Sequence, residues 1–492
     1  MKKIIIVGGG IAGICAGIYG RKAGYEVTIY EKNSMAGGEC MGWNRKGHHI
    51  DNCIHWLTGT KKGSSLRNLW EEVGALSSNS AFVENKSFYT TRKADKQITL
   101  WKDLERTKKE MLLLAPEDHE EIEAFFLHVE YAMSCEMPVE KPMEQLNPLD
   151  YLKLGLKMKN MPKVIKEYGT ISLEDLSNRF QNPVLKAAFT DYMPKEYIAS
   201  SFIISYATIA SGNGELPKGG SLSMANRMIK TFEDLGGTIC LKAPVSEICV
   251  KNGRVSGVRL EGGEKIAADY VIAAMDSYTL FRGLLPEEYR QKEFEVCYHN
   301  EKNYPLVSGF QVAFSVDAAY SLKEETLIFD CAPFSIAEKE VDRISVRSYA
   351  YEPSFAPAGK FVLQTNVSQY DDDFHYWESL TKEEYTKEKE RISLALKKRI
   401  EAQFLIPFDQ ISVLDCWTPL TYLRYCNAYH GSYMSFITKK EVPSFCHKGT
   451  FDTLPNLFLA GQWLEAPGGL PVAAATGKFA IQRLQKAEKK RT

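Results

Sequence analysis

The first thirty residues carry a strand, turn, helix and strand pattern that constrains the fold more than any other feature of the sequence. Residues 3–7 are an apolar run suited to a buried parallel strand, and residues 11–23 have the apolar spacing of a helix. Residues 26–30 form the second predicted strand. A βαβ unit at the start of a chain indicates a doubly wound α/β sheet.

The turn between the first strand and the helix is rich in glycine, and each residue of its motif has a physical role. Gly8 permits the tight turn, Gly10 lets the backbone approach a pyrophosphate, and Gly13 lets the helix pack closely on the strand. The free N–H groups at the start of the helix attract phosphate. Glu31, at the end of the second strand, can accept both hydroxyls of a ribose. The motif therefore predicts a dinucleotide-binding site.

A second turn of small residues follows the second strand. Glu31 and Lys32 lead into Gly37 and Gly38, where flavin-binding chains place backbone against the pyrophosphate. Glu31 has a use only if an adenosine ribose lies at the end of the second strand, so the predicted cofactor is non-covalent FAD and not FMN. We expect Lys32, Gly37 and Gly38 to contribute to its site.

The remainder of the chain predicts a second domain that is interleaved with the first. Long helical stretches broken by prolines run through residues 76–211, and alternating apolar and polar runs within residues 283–409 indicate an antiparallel sheet. The predicted fold class is α/β, with a Rossmann-like FAD-binding domain and an α+β substrate domain. The FAD-binding domain is assigned to residues 1–75, 212–282 and 410–492, and the substrate domain to residues 76–211 and 283–409.

Composition narrows the class of partner and the compartment. The net charge of −1 gives no overall attraction to nucleic acid. Eleven cysteines without a paired or zinc-ligand spacing favour a reducing cytosol, so a cytoplasmic protein is predicted. No metal site is expected, because His48 and His49 lack a third ligand at a supportive spacing. No apolar run reaches the roughly 20 residues that a bilayer span needs.

Motifs along the whole chain resemble the phytoene desaturase, carotenoid isomerase and retinol saturase group of FAD-dependent oxidoreductases. They are Gly8, Gly10 and Gly13, Glu31, Gly37-Gly38, Pro217-Lys218-Gly219-Gly220, Gly461, and Pro467-Gly468-Gly469-Leu470-Pro471. The resemblance implies hydride transfer between the flavin and a carbon–carbon bond of an apolar, isoprenoid or lipid substrate, in a desaturation, saturation or isomerisation. Flavin amine oxidases share the N-terminal motif and are the alternative enzyme, and a non-catalytic flavin or lipid carrier is the alternative from another class.

The resemblance also assigns residues to parts of the cofactor. Val245 matches the strand position whose backbone meets the adenine. Gly461, Gly469 and Leu470 match the turn along the edge of the isoalloxazine ring. Pro471 suits the first turn of a helix whose N-terminus would face the negative charge of a reduced flavin. No second glycine-rich βαβ unit for a pyridine nucleotide is present, so electrons are expected to pass through the substrate pocket, a quinone, oxygen or a protein partner.

Few catalytic side chains are expected, because in such enzymes the protein mainly orients the substrate and excludes water. His55 and Trp56 match the segment that passes under the flavin, and they are the candidates for the active-site wall. The alternative for His55 is a core imidazole bonded to backbone. Aromatic residues that could line an apolar pocket, or belong to the sheet core, are Tyr349, Tyr351, Phe355, Trp417, Tyr422, Tyr425 and Tyr429.

One position departs from the family pattern. An arginine usually follows the second glycine pair, whereas this chain has Glu39 and Cys40. A carboxylate beside phosphates would repel them. We therefore expect Glu39 to point away, and Arg45 or Lys46 to supply the positive charge.

Residues 148–166 form a basic amphipathic segment. Asn147 and Pro148 predict the start of a helix, and Pro162 is expected to break or restart it. The predicted apolar face holds Tyr151, Leu154, Met158, Met161 and Ile165, and the surrounding lysines are Lys153, Lys157, Lys159, Lys163 and Lys166. The segment either packs on the core or makes a peripheral contact with the inner face of the membrane.

Overall fold

A computed structural model describes residues 1–489. In chain order its strands are β1 (Lys3–Val7), β2 (Glu26–Tyr30), β3 (Gly42–Arg45), β4 (His48–Asp51), β5 (Leu57–Thr58), β6 (Phe82–Val83), β7 (Ser87–Lys93), β8 (Lys96–Trp101), β9 (Gly214–Pro217), β10 (Thr238–Cys240), β11 (Val245–Lys251), β12 (Arg254–Leu260), β13 (Lys265–Ala267), β14 (Tyr270–Ala273), β15 (Ser308–Asp317), β16 (Thr326–Ile336), β17 (Lys339–Ser348), β18 (Lys360–Gln369), β19 (Ile411–Trp417) and β20 (Leu457–Leu459).

Many of the helices follow one another in the middle of the sequence, between β8 and β9, and the others alternate with strands. They are α1 (Ile11–Lys22), α2 (Ser65–Glu72), α3 (Leu104–Leu114), α4 (His119–Met133), α5 (Pro148–Lys157), α6 (Met161–Tyr168), α7 (Leu173–Asn178), α8 (Pro183–Thr190), α9 (Ala199–Ala210), α10 (Gly220–Asp234), α11 (Ser277–Thr279), α12 (Lys292–Tyr298), α13 (Asp371–Ser379), α14 (Lys382–Phe404), α15 (Pro419–Cys426) and α16 (Leu470–Lys489).

A five-stranded parallel sheet forms the centre of the first domain. Its strand order is β10-β2-β1-β14-β20, and every neighbouring pair is parallel. Helices α1, α10 and α16 pack on one face through a core that includes Ile14, Phe232 and Ala474. The three-stranded sheet β11-β12-β13 and the segment that follows β14 cover the other face. The predicted α/β fold is confirmed.

Glycines allow the helices of this domain to approach the backbone beneath them. A Cβ atom on Gly13 would lie 2.1 Å from the carbonyl oxygen of Gly8, and one on Gly477 would lie 2.5 Å from that of Ala12. Neither position has room for a side chain, because the atoms in the way are backbone. Gly13 therefore fixes the approach of α1 to β1, as its place in the motif predicts.

A seven-stranded sheet of order β19-β15-β18-β17-β16-β7-β8 forms the second domain. All its pairs are antiparallel except β16 with β7. The prediction of an antiparallel sheet in this domain is confirmed. The prediction that residues 76–211 are helical is wrong for β6, β7 and β8. The hairpin from β7 to β8 contains neighbouring aromatic and β-branched residues, among them Phe88, Tyr89, Thr90 and Thr91, a signal for strands that the surrounding helical sequence obscured.

One face of the seven-stranded sheet is apolar and covered by helices. Phe310, Val312 and Leu363 pack against Trp377 of α13 and Leu396 of α14. Because β19 is an edge strand of this sheet, we propose that the substrate domain also includes Ile411–Trp417, which the sequence-based boundaries gave to the FAD-binding domain.

Two further sequence expectations concern membranes and thiols. No helix within the described residues is long and apolar enough to cross a bilayer. All eleven cysteines are free, and Cys446 is the exposed one, whereas the others are buried or half-buried.

Candidate functional site

A cavity of about 380 Å³ opens at the carboxyl ends of β1, β2 and β14, where α1 begins. Ligands of open α/β sheets bind at this edge. The residues predicted to bind the cofactor that line it are Gly8, Gly10, Glu31, Lys32, Gly37, Gly38, Val245, Gly461, Gly469 and Leu470. Gly13 does not line the cavity and acts through the packing of α1.

The two glycine turns, at residues 8–10 and at residues 37–38, lie side by side in this cavity, and both present backbone without side chains to it. The N–H of Gly37 donates to the carbonyl oxygen of Gly9 at 2.8 Å. A Cβ atom on Gly38 would come within 3.1 Å of the Cα of Gly10. Such a side-chain-free cradle beside a helix N-terminus fits a diphosphate.

Glu31 is held rigidly at the end of β2. Its Oε2 accepts a hydrogen bond from the N–H of Gly9 at 2.8 Å, and its Oε1 accepts from the backbone and side-chain nitrogens of Asn33 at 2.8 and 2.9 Å. The residue is only 6% exposed, and that exposure faces the cavity. The carboxylate is therefore oriented for the ribose end of a dinucleotide, which is the fit that FAD requires.

The segment after α15 closes the adenosine end of the cavity. Lys32 donates from Nζ to the carbonyl oxygen of Arg424 at 2.9 Å and to Oδ1 of Asn427. Asn33 donates to the carbonyl oxygen of Tyr425 at 2.8 Å. Of this wall the sequence indicated only Tyr425, as a possible pocket aromatic, because nothing else in residues 425–428 marks them locally as cofactor contacts.

Glu39 lies in the cavity wall, contrary to the expectation that it points away. Burial raises the pKa of its carboxyl group to about 8, so the group is neutral at neutral pH and does not repel phosphate. The predicted cations are engaged elsewhere. Arg45 forms an ion pair with Asp415 at 2.8 Å, and Lys46 donates to the carbonyl oxygen of Val413 at 3.1 Å.

A second cavity of about 420 Å³ adjoins the first. Both are lined by Glu39, Cys53, Tyr433, Gly469 and Leu470, so they meet where α16 begins. The N–H of Gly469 donates to Oε1 of Gln462 at 3.1 Å, which fixes this turn. A flavin ring placed at Gly469 and Leu470 would therefore face the second cavity.

His55 and Trp56 both lie in the wall of the second cavity. Trp56 packs on Phe88 and Tyr192, with ring centroids 5.5 and 6.1 Å apart. Burial and the charge of Arg347 lower the pKa of His55 to about 3. Its imidazole is therefore neutral at neutral pH and can accept a proton only weakly, so a role as a cationic acid is not favoured.

Two of the aromatic residues that the sequence offered as pocket candidates line a cavity in the structure. Tyr422 lines the second cavity and Tyr425 lines the first. The others do not appear in either wall. The polar wall of the second cavity, built by β15 to β18, was not predicted.

A cluster of possible metal ligands lies apart from both cavities. Among the described residues, Glu301, His375 and His430 place one potential ligand atom each within 4.8 Å of one another. Nδ1 of His430 lies 2.7 Å from Oδ1 of Asp371. These residues are far apart in sequence, so the spacing argument that predicted no metal site did not test this combination.

Comparison with known proteins gives the family. The chain matches the family described as flavin containing amine oxidoreductase over residues 11–484. It is 23% identical over 516 residues to a 1-hydroxycarotenoid 3,4-desaturase of a Flavobacterium species, covering 97% of this chain and 98% of the relative. It is 23% identical over 508 residues to a lycopene-forming phytoene desaturase of a Paracoccus species, covering 98% and 97%.

The solved structures agree in fold. An oxidoreductase from Methanosarcina mazei has a TM-score of 0.61 at 16% identity, covering 98% of this chain and 100% of that one. The fold, the cradle at Gly10 and Gly38 and the family match define an FAD-dependent oxidoreductase. The chain belongs to the flavin-containing amine oxidoreductase family, and the resemblance to carotenoid desaturases is confirmed.

Proposed function

We propose that the protein transfers hydride between its flavin and a carbon–carbon bond of an isoprenoid substrate. The observation that carries this proposal is the second cavity, which meets the cofactor site at Gly469 and Leu470. FAD bound in the first cavity supplies the hydride acceptor or donor. The protein's own residues orient the substrate against that edge and exclude water. The desaturase relatives support a reaction at a carbon–carbon bond.

Amine oxidation fits the charges of the second cavity less well. Arg347 lines the cavity and would repel a protonated amine. Asp191 also lines it, but this carboxylate is paired with Arg343. The wall therefore offers a cation and no unpaired anion among its described residues.

The test is single turnover with the purified flavoprotein under anaerobic conditions. Partly saturated linear isoprenoid polyenes and simple amines are each mixed with the oxidised protein, which can take two hydrogen atoms from them. The corresponding fully conjugated polyenes are mixed with the dithionite-reduced protein, which can add two hydrogen atoms to a double bond. We expect a polyene to change the flavin absorbance and to gain or lose two hydrogen atoms by mass spectrometry. Flavin reduction by amines alone would favour the alternative enzyme. A reduced flavin that no quinone or oxygen reoxidises would favour a carrier.

We further propose that α5 contacts the membrane, from which a water-insoluble substrate would enter. The helix begins at the predicted Asn147 cap, and none of its residues is buried. Leu149, Leu152 and Leu156 are 68%, 62% and 65% exposed. Leu154, Met158 and Met161 are half-buried, so the exposed apolar face differs from the predicted one. Apolar residues presented to solvent on a basic helix are typical of an interfacial contact.

The lysines of this segment are not equally free to meet an anionic surface. Lys157 is paired with Glu136 and Glu140, at 3.2 Å each. Lys163 lies over the ring of Tyr131. Lys153 and Lys159 are exposed and form no ion pair with a described residue. These two are therefore the cations to test. The free thiols support a cytoplasmic protein, so the contact would lie at the inner face.

Liposome co-sedimentation checks the membrane contact. We expect binding to vesicles that contain anionic lipid, and weaker binding in high salt. A Lys153→Glu, Lys159→Glu double variant should lose at least about tenfold in partitioning, since each lysine contributes about 1 kcal/mol near such a surface.

Two further variants separate charge from apolar contact. Lys62→Glu with Lys398→Glu changes the net charge equally at exposed sites elsewhere, and it should bind as the wild type does. Leu152→Ser with Leu156→Ser should reduce binding to neutral and anionic vesicles alike. Equal recovery of the wild-type protein in the supernatant with and without vesicles contradicts the proposal.

A further inference from the structure

The wall of the second cavity that belongs to the seven-stranded sheet is polar. Gln311 of β15 pairs in register with Asn366 of β18, which pairs with Ser345 of β17. All three line the cavity. A second row lies two residues further along and crosses β18, β17 and β16, and it consists of Gln364, Arg347 and Thr326. The side of the sheet that faces the substrate space therefore carries hydrogen-bonding groups.

Exposure to bulk solvent does not account for this face, since Gln311 is 6% and Gln364 is 5% exposed. Burying polar groups costs free energy unless they find partners. Gln311 and Gln364 find partners within the protein, since they donate to the hydroxyl group of Tyr422 and to the carbonyl oxygen of Asp51. Oδ1 of Asn366, in the same wall, is buried and has no partner among the described residues. A cavity that took only a hydrocarbon would be expected to have apolar walls on this side too. The residues of the wall instead suit a substrate that has a polar end.

Arg347 is the cation of this wall. Its Nη1 and Nη2 donate to the carbonyl oxygen of His55 at 3.1 and 3.2 Å, and its Nε donates to Oγ1 of Thr326 at 3.3 Å. Both acceptors are neutral. A guanidinium has five N–H donors, so these three bonds leave donors for another acceptor.

The neighbouring arginine on the same strand face shows the contrast. Arg343 forms ion pairs with Asp191 and Asp330. Arg347 forms no ion pair with any carboxylate of the described residues. Three tyrosines, Tyr192, Tyr351 and Tyr349, act on its charge more than any carboxyl group does. The carboxyl group that acts on it is that of Glu325, next to Thr326 in sequence, and burial raises the pKa of this group to about 7. Arg347 thus lies beside the substrate space without a carboxylate of the described residues paired to it.

We propose that Arg347 binds a carboxylate at one end of the substrate, so that the substrate is an isoprenoid or polyene acid and not a hydrocarbon. Gln364, its cross-strand neighbour, stands beside the bound group. The reacting bond then lies toward Gly469 and Leu470, and the carboxylate lies at the sheet. A guanidinium meets a carboxylate with charge-assisted hydrogen bonds, which are stronger than those between neutral groups. This assignment of the substrate class rests on the proposed function.

The experiment compares an acid with its ester on the FAD-loaded, oxidised protein. All-trans-retinoic acid and its methyl ester have nearly the same apolar body and differ in the charge at one end. Dissociation constants are measured by quenching of tryptophan fluorescence. We expect the wild type to bind the acid about tenfold to hundredfold more tightly than the ester, the range for a hydrogen-bonded charged group. Arg347→Gln should abolish that preference and leave binding of the ester unchanged.

Arg399→Gln is the matched control. Arg399 donates to the carbonyl oxygens of Ala332 and Pro333 on the opposite side of the sheet, so it loses comparable bonds and the same charge. It should keep the preference for the acid. Arg347→Lys retains the charge and should keep part of the preference for the acid. It replaces Arg347→Gln in the experiment if the glutamine variant does not retain FAD.

The outcomes separate the two proposals. Equal affinity of the wild type for acid and ester, or an equal loss of both in Arg347→Gln, overturns the carboxylate assignment. A preserved preference for the acid, with no hydride transfer to or from any polyene acid, supports the binding site and contradicts the proposed reaction.

Discussion

A Gly10→Val variant is expected to fold and to lose FAD. Gly10 has an extended backbone, with φ −75° and ψ 179°, which a β-branched residue adopts readily. A Cβ atom there would meet nothing closer than the Cα of Gly38, at 3.8 Å. The Cβ atom of the valine would therefore lie between the two glycine turns in ordinary van der Waals contact. That space is where the backbone would approach the diphosphate.

The flavin content after gel filtration and the thermal unfolding of the FAD-free protein measure this effect. Adding FAD at a hundredfold excess over its dissociation constant should stabilise the wild type by about 2.7 kcal/mol. The variant should show no such shift at the same concentration. Its FAD-free unfolding midpoint should lie close to that of the wild type, because replacing a glycine cap costs only about 1 kcal/mol.

Valine variants at two other glycines serve as controls, one for the added side chain and one for misfolding. Gly283→Val adds the same side chain at an exposed position with nothing within 4 Å of its Cβ, and it should keep FAD. Gly13→Val places the Cβ 2.1 Å from a backbone oxygen, and it should fail to fold. A Gly10→Val protein that retains a full complement of FAD would refute the placement of the cofactor in this cradle.

The parts of the fold that were predicted correctly depend on local signals. The first βαβ unit carries its own periodicity and its own turn residues, so the bounds of its two strands and its helix follow from a short window of sequence. The hairpin β7–β8 was missed. Its own strand residues stand in a long stretch of helical sequence, and β16, the strand that joins it to the rest of the sheet through Leu327 and Thr90, lies more than two hundred residues away.

The site divides in the same way. The glycines and Glu31 were predicted because turns and helix starts impose local requirements on residue type. The polar wall was not predicted. The alternation of Leu363 with Gln364 is the same whether the polar face of the sheet meets bulk water or an internal cavity. That polar face lines a cavity because α9 and the glycine turn at Gly469 lie opposite the sheet in the folded chain.

Glu39 is another residue whose position in the structure differs from the expectation. The carboxyl group lies where the two cavities meet, and its hydrogen bond is a long one, 3.4 Å, from Nε2 of Gln462. Burial, and secondarily the charge of Asp276, raises its pKa from 4.5 to about 8. The folded state therefore holds this proton more tightly than the unfolded state. Its contribution to stability is complete below about pH 4.5 and is lost as the pH rises to about 8.

Replacing this residue by glutamine should remove that dependence on pH. The free energy of unfolding of the FAD-free protein is measured by urea denaturation from pH 5 to pH 9, for the wild type and for Glu39→Gln. Other titrating groups are shared, so the difference isolates Glu39. We expect the wild type to lose stability relative to the variant as the pH rises toward 8, with a slope of at most about 1.4 kcal/mol per pH unit.

The affinity for FAD supplies an independent readout of the same carboxyl group. Above pH 8 an ionised Glu39 would repel the diphosphate, so the wild type should bind FAD more weakly at pH 9 than at pH 7. Glu39→Gln should bind equally at both. Glu233→Gln, at an exposed position on α10, should behave as the wild type in both measurements. Stability curves that run parallel for the wild type and Glu39→Gln from pH 5 to pH 8 would mean that the carboxyl group is ionised in the folded protein, and the neutral acid in the cavity wall would have to be abandoned.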